Sequence, residues 1–332
     1  MKNKLNVGII GRNFGLKVIY KSIQKNKKFN TIGICFKSKN IKNLKIPKSI
    51  KIYNNWKKMI IDKNINAIII ASPPYLHKKI IKFALKHKKH IFCEKPFATT
   101  FNDAAYLCKI LEKNKNICHM VNYEFINIEA FNYLKKKILN NCIVKKVHID
   151  WYLKNNNRNS SNWKEQHKKG GGIFFNYICH SLYYIEKLFG EIKEVKNKFI
   201  NKNLGLNSVI RLKNNKTKVL LKFKFIGENS IMAPVNKIKI FTNKKNYMLK
   251  TNINSLSDQF SLSTRNKILF YPKFNKNDFR INPTKKNLLN FLKNIKNGIY
   301  KSPNFYDAKK IHFIINKMML SSQKNKNILI NY

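Results

Sequence analysis

Residues 11–15, Gly-Arg-Asn-Phe-Gly, follow a short apolar run and have the composition of a turn between a strand and a helix. Gly11 permits a tight turn and Gly15 permits close packing of the helix on the strand, as in a shortened dinucleotide-binding fingerprint. The helix start offers unpaired N–H groups to a pyrophosphate. Asn13 replaces a further glycine of the fingerprint, and asparagine tolerates positive φ angles comparatively well. With Phe14, the turn is a candidate dinucleotide site, although a glycine turn without a ligand fits equally well.

A second candidate lies after the second predicted strand, where Phe36 is followed by Lys37, Ser38 and Lys39. Sites specific for NAD usually carry Asp or Glu at this position, where the carboxylate binds the ribose hydroxyls. A cationic loop with a hydroxyl group suits a 2′-phosphate instead, so Lys37 and Ser38 favour NADP over NAD. The alternative is a solvated lysine without a ligand, because lysine is abundant throughout the chain.

The elements that must position these residues follow from the apolar pattern of the first 122 residues. Short apolar runs predict six strands, at residues 5–10, 31–36, 50–53, 67–71, 90–93 and 117–122. Segments with helical spacing separate them, and Ser72 and Thr100 are the predicted caps of two of these helices. Strands that alternate with helices indicate an α/β fold with a doubly wound parallel sheet. Its ligands bind beyond the carboxyl ends of the strands, so we expect functional residues there.

The charge of the chain is extreme. The 332 residues include 68 Lys and Arg against 15 Asp and Glu, a formal net charge of +53. One interpretation is a nucleic-acid or anionic-membrane partner. The other is mutational drift toward lysine and asparagine codons in an A/T-rich genome. Only five basic residues are arginine, the side chain favoured for base and phosphate recognition, and the lysines are spread along the chain without a block. We therefore favour drift and expect no specific nucleic-acid partner.

The six cysteines show no metal-ligand spacing and mostly lie in apolar runs. They predict small buried side chains in a reduced, cytoplasmic compartment, and no metal site. No run of 18 or more uncharged apolar residues occurs, so we expect no membrane-spanning helix and no membrane partner. The residues after Met1 lack the long apolar region of a secretory signal.

Two further turns carry more specific patterns. One is Ser72-Pro73-Pro74 followed by His77, and the other is Glu94-Lys95-Pro96. Together with Asn122-Tyr123-Glu124-Phe125 and the glycine-rich stretch 170–190, which contains His180, they closely resemble the Gfo/Idh/MocA family of NAD(P)-dependent oxidoreductases. The resemblance extends over about residues 5–190 and more loosely to the end.

The resemblance implies two domains. Residues 1–122 would form a Rossmann domain, and residues 123–332 a C-terminal α/β domain with a large, mostly antiparallel open sheet that binds substrate. In the C-terminal part, period-2 alternation at residues 147–153 and 219–225 predicts strands, and helices are predicted at 130–139, 286–295 and 306–319. Because the open sheet face commonly buries against a partner in the family, the resemblance also implies a dimer or tetramer.

The resemblance also implies roles for individual residues. Lys95 would reach the reacting hydroxyl and the nicotinamide ribose, with Pro96 fixing the turn through a cis bond. His180 would be the general acid or base. Ser72, Pro73, His77 and Glu94 would bind the cofactor, His77 facing the nicotinamide rather than acting in catalysis.

Two residues depart from the family pattern near this histidine. Asn176 stands where the family often has Asp, and Ile178 where it has Gly. An amide can bind a sugar hydroxyl but cannot relay a proton, so these changes cast doubt on a polyol-dehydrogenase mechanism. Asn176, Tyr123, Glu124 and Trp163 are candidate substrate residues, and packing in the core is the alternative for the aromatic ones.

The leading hypothesis is an oxidoreductase that uses NADP or NAD. It would transfer hydride between the nicotinamide and a hydroxyl or keto carbon of a sugar, cyclitol or nucleotide-linked sugar. The alternatives are a dinucleotide- or sugar-binding homologue with impaired catalysis, motivated by Asn13, Asn176 and Ile178, and a polyanion-binding protein, motivated by the charge alone.

Overall fold

In a computed structural model of the chain, the structure describes residues 4–37, 46–154, 162–200, 204–214, 217–226, 233–251, 259–273 and 278–332. The chain divides into two compact units. The first comprises Met1–Glu124, Gln166–Gly171 and Arg280–Lys309, and the second comprises Phe125–Glu165, Gly172–Phe279 and Lys310–Tyr332. The predicted boundary after residue 122 lies close to the end of the first segment. The two later segments of the first unit were not predicted, because residues 123–332 were assigned to one continuous domain.

The first unit is built on a parallel sheet of six strands. They are β1 (Leu5–Ile10), β2 (Phe29–Cys35), β3 (Lys51–Tyr53), β4 (Ala67–Ile70), β5 (His90–Cys93) and β6 (His119–Val121). All six predicted strands are present, with ends within a few residues. The order is β3-β2-β1-β4-β5-β6, so the winding reverses between β1 and β4. This doubly wound parallel sheet confirms the predicted fold class and places the expected ligand site at the carboxyl ends of β1 and β4.

Helices complete both units. The α-helices of the described residues are α1 (Lys21–Ile23), α2 (Trp56–Ile61), α3 (His77–Lys86), α4 (Phe101–Glu112), α5 (Glu129–Lys137), α6 (Cys179–Phe189), α7 (Ile281–Asn297) and α8 (Phe305–Lys324). A π-helical segment, Gly15–Tyr20, precedes α1, and another, Phe174–Ile178, precedes α6. Thr100 caps α4 as predicted, since its side chain accepts a hydrogen bond from the backbone N–H of Asp103.

Helix α7 contributes to the core of the first unit although it lies far along the sequence. Leu288, Phe291 and Leu292 belong to the same buried cluster as residues of the parallel sheet. The ring of Phe291 packs edge-on against that of Phe92 on β5, with 5.6 Å between their centroids. An apolar stripe on one side of the helix thus covers the sheet, as its helical spacing dictates.

The second unit contains a nine-stranded sheet. Its strands are β7 (Val144–Lys154), β8 (Ile192–Ile200), β9 (Gly205–Leu212), β10 (Lys218–Ile226), β11 (Val235–Thr242), β12 (Asn246–Thr251), β13 (Phe260–Ser263), β14 (Ile268–Phe270) and β15 (Ile328–Leu329). The order is β14-β13-β12-β11-β7-β10-β9-β8-β15, and among these described strands only β7 and β10 pair in parallel. The mostly antiparallel sheet confirms the prediction. One face is buried, as at Val147, Ile149 and Trp151, and the alternate residues point to the other face.

Within the described ranges, no helix combines the length and the apolarity needed to cross a lipid bilayer. The six cysteines are free thiols. Five are buried and Cys142 is partly exposed, in agreement with their prediction as small core residues.

Candidate active site

The turn after β1 packs tightly against the turn after β4. Gly11 has a φ of +127°, and a Cβ atom at this position would overlap the carbonyl oxygen of Ala71. The backbone N–H of Ala71 donates to the carbonyl of Ile10 at 2.7 Å. A Cβ on Gly15 would lie 3.3 Å from Ile9, so this residue allows the predicted close approach of helix and strand. The turn therefore needs glycine at position 11 for its backbone conformation as well as for space.

We expect Gly11→Ala to destabilise the first unit by about 3 kcal/mol or more and to abolish dinucleotide binding, because the substitution combines backbone strain with a clash against a buried carbonyl. Thermal denaturation and nicotinamide fluorescence would measure the two effects. Gly298→Ala is a suitable comparison, since that glycine also has a positive φ, +61°, but has open space around it. If both variants lost similar stability, the positive φ angle of the glycine alone would account for the loss, without a contribution from the clash with Ala71.

The other residues of the predicted nucleotide site lie around this turn. Asn13 is exposed and lies in the first helical turn, so it does not use the positive φ that its residue type would permit. Phe14 packs against the core of the unit, and the guanidinium of Arg280 lies 5.3 Å from its ring centroid. Lys37 is exposed, two residues beyond the end of β2. Ser38 lies outside the described residues.

The turn after β4 differs from its prediction at Ser72. The helical segment begins at Pro74 with Pro73 in the cap position, so Ser72 lies one residue too early to cap it. The predicted cap was wrong because the extended backbone of Pro73, with ψ of 144°, separates Ser72 from the first helical turn. Among the described residues, the buried Ser72 hydroxyl has no hydrogen-bond partner. A buried unpaired hydroxyl beside the β1 turn fits a polar group of a bound dinucleotide.

His77 connects this turn to the turn that contains Pro96. Its ring is fully buried, with Nε2 2.8 Å from the carbonyl oxygen of Ser72 and Nδ1 3.0 Å from that of Pro96. Burial lowers the pKa of His77 to about 4, so the ring is neutral at pH 7 and donates from one nitrogen at a time. The structure thus shows a residue that joins two turns, and a direct contact with the cofactor stays a prediction.

Lys95 lies directly after Glu94, beyond the carboxyl end of β5. Its side chain is half-buried, and the Lys95–Pro96 peptide bond is cis, as the resemblance implied. Pro96 is buried and Glu94 is 7% exposed, so the lysine is the most accessible residue of this turn. A half-buried lysine after the end of an inner strand can contact a ligand while its backbone stays fixed.

A buried polar network holds the Glu94 side chain. The amide nitrogen of Asn122 lies 2.6 Å from Glu94 Oε1 and 3.2 Å from the hydroxyl of Thr284. Asn287 in turn donates to Asn122 Oδ1 at 2.9 Å. Asn122, Thr284 and Asn287 are all fully buried. Because Asn122 follows β6 as Glu94 follows β5, the network fixes the ends of two neighbouring strands to α7.

Glu94 is held in an environment that favours its neutral form. Burial raises the pKa of this carboxyl to about 8, and the neighbouring Glu124 carboxylate acts in the same direction. The hydrogen bond from Asn122 and the charge of Lys95 oppose the shift without cancelling it. In an unfolded chain the carboxyl has its ordinary pKa of 4.5. The folded state therefore binds more protons between these two values, and its stability falls as the pH rises through that range.

We expect Glu94→Gln to become more stable relative to the native chain as the pH rises from about 5 to about 8, because glutamine keeps the accepting oxygen and cannot ionise. Thermal denaturation at a series of pH values would measure the difference between the two proteins. Glu112→Gln, at an exposed carboxylate on α4, is the matched control and should follow the native curve in parallel. Parallel curves for Glu94→Gln as well would contradict the expectation.

In the second unit, His180 lies near the start of α6, directly after the π-helical segment Phe174–Ile178. It is 3% exposed, and its ring stacks on that of Phe125 with 4.2 Å between centroids and 17° between planes. A π-helical turn often marks a functional position because its extra residue reorients the side chains around it. Packing against an aromatic ring restricts the imidazole to one orientation, which suits a group that must accept or donate a proton at a fixed point.

The predicted substrate residues fall into two groups. In the second unit, Asn176 donates to the carbonyl of Lys164 at 2.7 Å and thus fixes the short helical turn that carries the half-buried Trp163. In the first unit, Tyr123 and Glu124 are 1% and 3% exposed, so both are buried in the described chain. For Tyr123, this burial fits the alternative role of a core residue better than it fits contact with a substrate. Direct contact of any of these residues with a substrate stays a prediction.

The sequence analysis assigned no role to the partners of Glu94, although Asn122 is part of a motif that it named. Asn122 could have been found, because polar residues directly after parallel strands are candidates for functional roles. Thr284 and Asn287 share the apolar stripe of α7 with Leu288 and Phe291. Two polar residues on a core-facing stripe would have indicated a buried polar partner, but nothing in the sequence identifies that partner as Asn122.

Comparisons with known proteins agree with this arrangement. The family model described as "Oxidoreductase family, NAD-binding Rossmann fold", GFO_IDH_MocA, matches residues 5–123. The model of the family's C-terminal alpha/beta domain matches residues 135–208. The two matches together cover more than half of the chain.

Curated relatives match over part of the chain. A 2,7-anhydro-N-acetylneuraminate hydratase of Escherichia coli is 30% identical over 138 residues, 41% of this chain and 37% of its own length. A levoglucosan dehydrogenase of Pseudarthrobacter phenanthrenivorans is 30% identical over 149 residues, 43% and 37% of the two chains. The matched stretches span about half or less of the length of such relatives.

Solved structures match over the full length. Levoglucosan dehydrogenase in complex with NADH has a TM-score of 0.80 at 18% identity, covering 99% of this chain and 100% of that one. A dehydrogenase from Bordetella pertussis, in complex with NADH and UDP-GlcNAcA, has a TM-score of 0.79 at 14% identity, with coverage of 99% and 100%. At these identities the likeness establishes the fold of both units.

Proposed function

Because the chain belongs to the Gfo/Idh/MocA oxidoreductase family, we propose that it is an NAD(P)-dependent oxidoreductase acting on the hydroxyl or keto carbon of a sugar, cyclitol or nucleotide-linked sugar. The observation that carries the proposal is the set of features at the carboxyl ends of β1, β4 and β5. The tight glycine turn at Gly11, the unpaired hydroxyl of Ser72 and the half-buried Lys95 all follow these strands. The names of the relatives, which refer to sugars, support the substrate class.

The proposed chemistry needs a charged group and a proton carrier at the reacting oxygen. When bound, a nicotinamide would supply the acceptor or donor of hydride. Lys95 would bind the reacting oxygen and stabilise negative charge on it through its ammonium group. His180 would take the hydroxyl proton in the oxidative direction and return it in the reductive one. The buried network around Glu94 would hold the backbone of Lys95 in place.

We further propose that the cofactor is NADP, because Lys37 follows β2 where NAD-specific sites have a carboxylate. We expect Lys37→Asp to weaken NADPH binding about tenfold while NADH binding is unchanged or improved, because a carboxylate repels the 2′-phosphate and can accept ribose hydroxyls. Fluorescence titration with each nucleotide would measure both affinities.

The matched control is Lys27→Asp. Lys27 is also exposed, but it precedes β2 and therefore lies at the opposite end of the same strand. This variant should bind both nucleotides as the native chain does. Equal affinity of the native chain for NADPH and NADH, or equal losses in both variants, would reject the assignment to NADP.

The first test of the whole proposal is titration of the purified protein with NADPH and NADH at about 150 mM salt, where long-range attraction to the basic surface is screened. A ligand at 100 times its Kd stabilises the fold by about 2.7 kcal/mol, which thermal denaturation detects. Inorganic polyphosphate must be the control because the protein is so basic. Nucleotide binding without polyphosphate binding supports the dinucleotide site, whereas stabilisation by both to the same extent contradicts it.

A second candidate function is ligand binding without catalysis. Its motivation is Asn176, which occupies a position where the family often has a carboxylate and which donates to a backbone carbonyl here. A panel of sugars, sugar acids and nucleotide-linked sugars would separate the two functions. Reduced nicotinamide and product should both be measured, because one relative is named a hydratase rather than a dehydrogenase. Tight cofactor binding without turnover of any sugar in the panel would favour ligand binding without catalysis.

A further inference from the structure

Arginine is rare in this chain, and its few positions are informative. Five of the 68 basic residues are arginine, at positions 12, 158, 211, 265 and 280. Two of the five, Arg12 and Arg280, belong to the first unit. Arg12 lies in the glycine turn after β1, and Arg280 directly precedes α7. In a chain whose usual cation is lysine, an arginine is a candidate for recognition that needs the planar guanidinium rather than charge alone.

The Arg280 side chain lies against the nucleotide turn. Its guanidinium carbon is over the ring of Phe14, 5.3 Å from the ring centroid. Arg280 is half-buried, and its carbonyl accepts the backbone N–H of Thr284 at 3.0 Å. The hydroxyl of Ser22 lies 3.1 Å from the carbonyl oxygen of Ile281. These contacts fix the beginning of α7 against the helix that follows the glycine turn.

The ring of Phe14 places this cation near the start of that helix. Leu16 donates its backbone N–H to the carbonyl of Arg12 at 3.0 Å, so the helical hydrogen bonds begin at Arg12. Phe14 lies within the first turn, where backbone N–H groups precede any carbonyl of the same helix. In dinucleotide-binding folds, the pyrophosphate binds at such a helix start. The guanidinium of Arg280 therefore lies close to the expected position of the pyrophosphate.

We infer that Arg280 binds the pyrophosphate of the dinucleotide through its guanidinium group, and that the Phe14 ring holds this side chain in place. The inference rests on the proposed function, since it concerns the cofactor of that function. A guanidinium can donate two parallel N–H bonds to phosphate oxygens, whereas an ammonium group acts as a point charge. Contact with the ring restricts the long side chain before a ligand binds, which lowers the entropy that binding costs.

This role would supplement a glycine turn that departs from the dinucleotide fingerprint. Asn13 stands where the fingerprint has a further glycine, so the turn offers less open backbone to a pyrophosphate. A charged side chain from α7 would add hydrogen bonds that the turn itself does not supply. Both partners of the contact, Phe14 and Arg280, lie in the first unit although they are far apart in the sequence.

The role of Arg280 differs from the role proposed for Lys37. Lys37 follows β2, where the 2′-phosphate of NADP would lie, whereas Arg280 lies over a residue that follows β1. The pyrophosphate is common to NAD and NADP. Loss of the Arg280 guanidinium should therefore weaken the binding of both nucleotides by the same factor, whereas loss of Lys37 should weaken NADPH alone.

The test uses three variants, Arg280→Gln, Arg280→Lys and Lys285→Gln. Lys285 is exposed on the same helix, so its replacement removes one positive charge without touching the turn. Fluorescence titration gives the affinities for NADPH and NADH. Competition with ADP and AMP isolates the group that is recognised, because these nucleotides differ by one phosphate. Thermal denaturation without nucleotide shows whether each variant folds, and Arg280→Lys, which keeps the aliphatic stem, carries the comparison if Arg280→Gln does not.

We expect Arg280→Gln to weaken NADPH and NADH binding equally, by about tenfold or more, because hydrogen bonds to charged groups are the strong ones. Arg280→Lys should recover only part of the affinity, since an ammonium group cannot form the paired bonds. Lys285→Gln should bind both nucleotides as the native chain does. The native chain should prefer ADP to AMP, and Arg280→Gln should reduce that preference.

Three results would overturn the inference. A loss confined to NADPH would assign Arg280 to the 2′-phosphate instead of the pyrophosphate. Native affinities in a folded Arg280→Gln, or equal losses in Lys285→Gln, would remove Arg280 from the binding site and leave the proposed function intact. A native chain that binds neither nucleotide would overturn this inference together with the proposed function.

Discussion

Lys95→Met is expected to lower kcat by about three orders of magnitude while leaving the fold intact. Methionine keeps most of the apolar volume of the lysine stem but has no ammonium group to stabilise charge on the reacting oxygen. The lysine is half-buried after the end of β5, and the buried network around Glu94 holds the backbone beside it. Removal of the side-chain charge should therefore not disturb the turn. Steady-state kinetics with the best substrate of the panel would measure the loss.

Two further variants separate the proposed role from a general effect of charge. Lys79→Met removes an exposed lysine from α3, in the same unit, and should leave kcat unchanged. Lys95→Arg keeps the positive charge but changes its geometry, and we expect only partial recovery of activity, because guanidinium and ammonium groups donate in different directions. Native turnover in Lys95→Met, with the native thermal stability, would remove Lys95 from the mechanism.

His180→Gln is the second substitution with a large expected effect, a decrease in kcat of about 10²- to 10⁴-fold. Glutamine can still form hydrogen bonds, but it cannot exchange a proton with a hydroxyl group near neutral pH. The imidazole is buried and stacked on Phe125, so some loss of stability is also expected from the poorer ring contact. Kinetics measured well below the melting temperature of the variant would separate the two effects.

His312→Gln provides a matched control for that loss of stability. His312 lies on α8 in the same unit, is 2% exposed and packs against the ring of Phe175 at 5.3 Å. Both substitutions remove a buried imidazole from an aromatic contact, and only His180 belongs to a motif associated with catalysis. Comparable losses of turnover in the two variants would indicate that His180 acts through packing alone.

The parallel sheet of the first unit could be predicted almost completely, because strands buried on both faces appear in the sequence as short continuous apolar runs. The run Ala67–Ile70 is wholly buried, as its composition indicates. Strands of the second unit were harder to predict where lysines interrupt the pattern. In β8 the buried Val195 and Asn197 alternate with lysines, and a register irregularity separates them from the buried Ile192. The irregularity, the polar inward residue and the dense charge concealed the strand pattern.

The site was predictable where chemistry follows a strand end and unpredictable where it depends on distant contacts. Lys95 and Glu94 directly follow β5 and could be identified from their turn. Thr284 and Asn287 could not, since the pairing of α7 with β6 depends on a tertiary contact across more than 160 residues.

The position of α7 in the chain has a consequence for synthesis. β6 ends at Val121, whereas α7, which buries Leu288, Phe291 and Leu292 against the parallel sheet, begins at Ile281. A ribosome therefore completes eight of the nine strands of the second sheet, all except β15, before it supplies this cover of the first one. Until then the nascent sheet exposes apolar residues such as Phe92 and Met120, which belong to the same cluster. We expect chaperones to be needed most during this interval, when these apolar residues are exposed. A fragment that ends after β6 would be prone to aggregate.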